Sequence, residues 1–237
     1  MKDKAQKIIY RSVFPAIILA ACLDPGDVWS RVQIFSGKAI NENGGLEYVE
    51  KHEIVYSGPK AVKSRTIYYS PDDQVIGTLV SEYDPKPGLS DYTFKDFRNG
   101  YEDGARLLSD RICLFQTADQ KREESCLPRD QKQIVGQGFH HFILNNLESI
   151  ARGSVFHVKL VLPSRLDEFE FRIKKMEEKG SHVFIRLEID NWFLRLITPH
   201  VDVVYDRERS RLLSYQGVSN LANASGEYAP VRIEYTY

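Results

Sequence analysis

Apolar and polar residues alternate at period two along much of this chain, and that pattern restricts its fold more than any other feature. Val183, Ile185, Leu187 and Ile189 alternate with His182, Phe184, Arg186, Glu188 and Asp190. Val231, Ile233, Tyr235 and Tyr237 alternate with Arg232, Glu234 and Thr236. Phe156, Val158, Leu160 and Leu162 form a third series, and Phe169, Phe171 and Ile173 a fourth. Successive side chains of a strand point to opposite faces, so this pattern predicts antiparallel strands with one buried and one wet face. The abundance of Tyr (13) and Phe (12) suits such a surface.

Turn chemistry divides the strands. Ser70-Pro71-Asp72-Asp73 carries Pro at the second position of a type I turn and joins residues 65–69 to 74–83. Asn41-Glu42-Asn43-Gly44-Gly45 joins 32–40 to 46–56, and residues 206–210 close 201–205 onto 211–215. Glu177-Glu178-Lys179-Gly180 is expected to close 169–176 onto 181–190. Matching the apolar faces of that hairpin pairs Ile173 with Val183, Phe171 with Ile185 and Phe169 with Leu187. Glu170 then lies opposite Arg186, and Glu168 opposite Glu188.

Two stretches depart from the alternation. In residues 131–152 the apolar side chains Ile134, Val135, Phe139, Phe142, Ile143, Leu147 and Ile150 recur every three or four positions. This spacing predicts an amphipathic helix over about 133–151, with Gly153 as its terminator. Gly136 and Gly138 weaken its first turns by about 1 kcal/mol each, which favours a start near Gly138. Residues 84–104 hold Pro85, Pro87, Gly88, Gly100 and Gly104 and are expected to form a long irregular connection. The expected architecture is mainly β: a curved antiparallel sheet or incomplete barrel of about ten strands packed on one long helix.

The opening segment has its own character. Lys2, Lys4, Lys7 and Arg11 precede an uncharged run from Ser12 to Leu23. A basic start, a short apolar core and small residues after it form the pattern of a secretory signal. The run is shorter than the ~20 residues of a spanning helix, and Pro15 interrupts it. The expected organisation is a signal peptide over residues 1–21 and one β-rich domain over 22–237. Leu19-Ala20-Ala21-Cys22 resembles the lipobox of bacterial lipoprotein precursors. That resemblance implies cleavage before Cys22, lipid attachment to Cys22, and, with Leu23 following, sorting to the outer membrane. Of the three cysteines, Cys113 and Cys126 then remain as an even pair flanking a polar stretch, and export favours a disulfide between them.

Charge and motif narrow the function without naming a reaction. The 32 basic and 33 acidic residues give a net charge of −1, against nucleic-acid binding by counterion release. Without residues 1–21 the net charge falls to −4, so membrane attachment would rest on the N-terminal lipid. The six histidines show no zinc-ligand spacing, and His140 and His141 diverge by about 100° on a helix. They are expected at the surface or on a helix flank. No nucleophile elbow, phosphate loop or dinucleotide fingerprint occurs, so neither catalytic residues nor a cofactor are assigned. Asp91, Asp96 and Arg98 form the one candidate polar site.

A lipobox-like start, many antiparallel strands and one amphipathic helix together resemble the outer-membrane lipoprotein carrier and receptor folds, LolA- and LolB-like. The resemblance is architectural and carries over no functional residue. It implies an exported, non-catalytic envelope protein of the periplasm that binds a hydrophobic or lipidic ligand, or a protein partner, in a curved sheet. An integral outer-membrane barrel ending on Tyr237 and a periplasmic hydrolase are the alternatives.

Overall fold

The computed structural model describes residues 30–196, 198–223 and 226–237; Cys22 and the expected signal lie outside the described residues. The expected hairpins extend into one meander: β1 (Ser30–Ile40), β2 (Leu46–Ser57), β3 (Lys60–Tyr69), β4 (Val75–Tyr83), β5 (Ser90–Asp96), β6 (Tyr101–Leu107), β7 (Arg111–Ala118) and β8 (Lys121–Pro128). A short β9 (Gln133–Val135) leads into α1 (Gly138–Ala151). The chain continues through β10 (Phe156–Leu162), β11 (Asp167–Lys179), β12 (His182–Ile189), β13 (Val201–Asp206), β14 (Arg211–Val218) and β15 (Pro230–Thr236).

These fifteen strands, against the ten or so expected, form one sheet, in which β1 pairs with β15 at the centre and β8 and β9 are the edges. The two edges are consecutive in the chain and joined by residues 129–132 alone. Such a link spans at most ~17 Å, so the sheet must curl until its edges approach. Gln133 Nε2 donates to Pro128 O at 2.9 Å across the gap, yet β8 and β9 do not pair, and the barrel stays open. A closed barrel of this many strands would enclose a channel. Here facing walls meet instead: Val135, Val161, Val231 and Ile233 share one core with Tyr68, Leu79, Phe94 and Ile112.

Helix α1 fills the rest of the interior. Ile143, Leu147 and Ile150 pack on Val158, Ile173, Val183, Ile185 and Leu187. Gly138 allows its entry, because a Cβ there would lie 2.2 Å from Gly88 O. The helix is shorter than expected: residues 133–135 form a strand parallel to β10, with Val135 N–H bonded to Gly88 O at 2.8 Å. Residues 84–104 are also more regular than expected, holding β5 and the start of β6. The inward side chains of β5 are Ser90, Tyr92, Phe94 and Asp96, so two polar residues mask its alternation.

The register of the β11–β12 hairpin differs from the expected one. Ile173 pairs with Leu187 and Phe171 with Ile189, and Arg172 faces Glu188. The turn is the two-residue Gly180-Ser181, with Lys179 opposite His182. A two-residue turn there pairs odd-numbered with even-numbered positions. The apolar faces are odd-numbered on both strands and need odd opposite odd. A bulge at Met176, between Lys175 and Glu177, absorbs the mismatch.

Candidate functional site

Strand β5 separates the three residues of the expected polar site. Asp91 and Asp96 are five positions apart, so they lie on opposite faces. Asp96 is buried and holds Arg98 in a two-pronged ion pair, with Nη2–Oδ2 at 2.6 Å and Nε–Oδ1 at 2.9 Å. Arg98 Nη2 also donates to Ala222 O at 2.8 Å, which ties the β5–β6 turn to the β14–β15 loop. Asp91 accepts the Leu107 N–H at 2.5 Å and lines a hollow of the outer wall with Glu82 and Arg106. Asp96 and Arg98 are thus brought together, and Asp91 is not. Cys113 and Cys126 face each other on β7 and β8 and are bonded, with S–S 2.02 Å.

Arg98 borders a cleft of about 190 Å³ at the rim where the β1–β2, β5–β6 and β14–β15 connections meet. Its apolar wall is Tyr48, Leu221 and Val231; its polar side is Arg98, Asn41 and Glu47. Tyr48 shares a hydrogen bond with Ser219 Oγ at 3.1 Å. On neighbouring β6, Tyr101 O–H donates to Asp103 Oδ2 at 2.9 Å. Burial pushes the Asp103 carboxyl up to about 6, against the pull of the Tyr101 hydrogen bond.

A second polar group, unexpected from the sequence, lies inside the barrel where α1 enters. Tyr235 O–H donates to Glu50 Oε2 at 3.3 Å, and Glu50 meets His52 Nε2 at 2.9 Å. His52 Nδ1 meets Thr66 Oγ1 at 2.9 Å, to which Gln137 Nε2 donates at 3.0 Å. Gln137 Oε1 accepts from Ser64 and from Tyr83, the latter at 3.1 Å. Gln137 stands at the N-cap of α1 without capping it; its side chain serves the sheet instead. Further along the helix, His140 Nδ1 meets Tyr205 O–H at 2.9 Å, and His141 packs edge-on against Tyr83. Burial drives His140 down to about 3 and His141 down to about 4, so both are neutral at pH 7. Surface placement therefore fails for His52, while His140 and His141 stand half-buried on a flank of α1, against the sheet. Surface placement holds for His157 and His200, whose side chains are 56% and 46% exposed.

Carboxylate, imidazole and hydroxyl follow one another in Glu50, His52 and Thr66, the order of a proton relay. Thr66 is fully buried and its oxygen is also held by Gln137, so no substrate carbonyl can reach it. The chain of hydrogen bonds fastens the helix entry to the sheet. The signal that could have revealed it is the polar run at even positions of β2 and β3: Glu50, His52, Ser64 and Thr66. Among the described residues, no group of three or more His, Cys, Asp or Glu is placed to hold a metal ion.

The fold and site define an open, β-barrel-like protein with a packed interior and a small rim cleft. No family model and no curated protein matches the chain. Among solved structures it is similar to a β-barrel-like protein from Brucella abortus, a domain of unknown function designated DUF1849. The two share 8% identity with a TM-score of 0.49, over 86% of this chain and 94% of that one.

Proposed function

We propose that this chain is an exported, non-catalytic envelope protein that binds an amphipathic or lipidic ligand at the rim cleft. The observation that carries this reading is the two-sided lining of the cleft, with Tyr48, Leu221 and Val231 facing Arg98, Asn41 and Glu47. Binding sites for such ligands pair an apolar wall with a few fixed polar groups. The barrel interior is taken up by α1 and its cores, so the ligand sits at the mouth and not in a central hollow. Export is supported by the bonded Cys113–Cys126 pair, which fits an oxidising compartment. Acylation of Cys22 would attach the protein to the outer membrane.

The outer wall argues against an integral barrel. Arg186 and Asp202 pair on it at 2.7 Å, and Arg172 and Lys174 gather there on Glu188. A lipid-facing wall would have to bury such charges in hydrocarbon, at ~2–4 kcal/mol for each Arg or Lys near the midplane.

The test is uptake of a fluorescent fatty-acyl probe by the detergent-extracted, delipidated protein. Saturable uptake at micromolar probe, reduced by Glu42→Trp at the exposed cleft mouth, is the expected result. No uptake by the folded protein would refute the ligand-binding reading. Mass spectrometry of the mature N-terminus tests export separately, through cleavage before Cys22 and its acyl mass.

A further inference from the structure

The loop between β12 and β13 displays three adjacent apolar side chains to solvent: Trp192 is 73% exposed, Phe193 61% and Leu194 40%. The Trp192 and Phe193 rings meet edge-on, 6.0 Å between centroids. Isolated surface apolar residues are ordinary, but a contiguous tip of this kind marks an interaction site.

The rest of the loop is built to remove charge and free backbone donors from that tip. Asn191 Oδ1 accepts the N–H groups of Phe193 at 3.0 Å and Leu194 at 3.1 Å. Arg195 N–H donates to Asn191 O at 3.0 Å, and Thr198 N–H to Leu194 O at 2.9 Å. The adjacent cation, Arg195, is folded back: its guanidinium donates to Ile189 O at 3.1 Å and Asp190 O at 2.6 Å, and lies 3.6 Å from Glu188. Asp190 is itself held by His157 at 2.7 Å. The Phe193 and Leu194 N–H groups are thus bonded within the loop, residues 192–194 carry no charge, and the ionic groups stand at the base of the tip.

These features choose among possible partners. A partner that adds a strand needs free backbone donors and acceptors, and here the donors named are already used. Entry into a low-dielectric layer requires the opposite, amides satisfied internally and charge withdrawn. Trp and Phe on a convex tip, with ionic groups at its base, match the interfacial zone of a bilayer. We propose that the loop seats the protein on a lipid bilayer by inserting Trp192, Phe193 and Leu194 at the headgroup–acyl boundary. Ser30, where β1 begins, lies at the rim opposite this loop.

Trp29 and Trp192 are the two tryptophans of the chain, so Trp29→Phe leaves Trp192 as the sole reporter. The full chain carrying Trp29→Phe and Cys22→Ser is titrated with vesicles of phosphatidylcholine, alone or mixed with phosphatidylglycerol. The expected result is a blue shift of Trp192 emission and quenching by acyl-brominated lipid. The shift should be similar with both compositions, because the tip is uncharged. Adding Phe193→Ser and Leu194→Ser should weaken the vesicle affinity on the order of tenfold or more, with circular dichroism unchanged, since both side chains are exposed. Trp192 emission that stays water-like overturns the proposal, whether the protein sediments with the vesicles or stays in solution. Sedimentation without a shift would assign membrane binding to the N-terminal segment alone.

Discussion

Acid should loosen this protein, and the structure gives the size of the effect. His140 and His141 ordinarily titrate at 6.5, but in the folded chain they are held down to about 3 and about 4. His140 faces Tyr205 and lies near His52; His141 packs on Tyr83. Both folded values are depressed, so the unfolded chain takes up these protons first. Their contribution is complete above pH 6.5 and is lost as pH falls toward the folded values. At about pH 4.5 each histidine has forfeited about 2–3 kcal/mol, about 5 kcal/mol together. Asp103 works the other way. Its folded value is raised from 3.8 to about 6, so the folded state binds that proton more tightly. Protonation over the same range returns about 2 kcal/mol and leaves a net loss of about 3 kcal/mol. Urea denaturation followed by circular dichroism at a series of pH values measures this directly. The extrapolated stability should fall steadily between about pH 6.5 and about pH 4.5, and His141→Phe should remove roughly half of the histidine contribution. Equal stability at about pH 7 and about pH 4.5 would refute the claim that the two imidazoles are buried neutral.

Further outcomes follow from packing and chain constraint. Replacing Cys113 and Cys126 by Ala frees a loop whose ends are 13 positions apart; the expected cost is about 3 kcal/mol, or about 6–12 °C in Tm. Hydrogen exchange should rise first in β8, an edge strand with mostly exposed side chains. Gly104→Ala would set a Cβ 2.2 Å from Tyr92 O and 2.6 Å from Phe115 Cζ, and should cost about 2 kcal/mol or more in a urea titration. Gln137→Leu would strip Ser64, Thr66 and Tyr83 of a shared partner; about 1–3 kcal/mol should be lost while the far-ultraviolet spectrum stays native.

Those hydroxyls show where sequence reading succeeds and where it stops. Strand identity is local: a side-chain period of two follows from backbone geometry, so β10, β11, β12 and β15 are visible wherever the inward positions are apolar. The pattern fades where the inward positions are polar, as at Ser90 and Asp96 of β5 or Ser64 and Thr66 of β3. A polar residue can face inward only with a partner, and these partners are remote in sequence: Ser64 is bonded to Gln137, 73 positions away, and Glu50 to Tyr235, 185 positions away. No local rule announces such a pairing. The same limit hid how far His140 and His141 are covered, since their exposure depends on which wall of the sheet the helix meets.

Register fails for a related reason. Matching apolar faces fixes only the parity of a hairpin, and pairing Ile173 with Val183 satisfies parity as well as the observed Ile173–Leu187. What decides between them is where the turn forms. Gly180-Ser181 makes a tighter turn than the four residues ending at Gly180, and extends β11 to Lys179. The tighter turn violates parity, and the bulge at Met176 restores it at the cost of a locally broken ladder. Met176 is 49% exposed, and no core residue depends on its side chain. Deleting it should therefore remove the bulge, keep every observed pair from Phe171–Ile189 to Lys179–His182, and leave the unfolding free energy within about 0.5 kcal/mol of the parent. A loss of several kcal/mol would mean that the bulge bears on the fold beyond parity, and that the apolar faces of β11 and β12 do not by themselves hold the register.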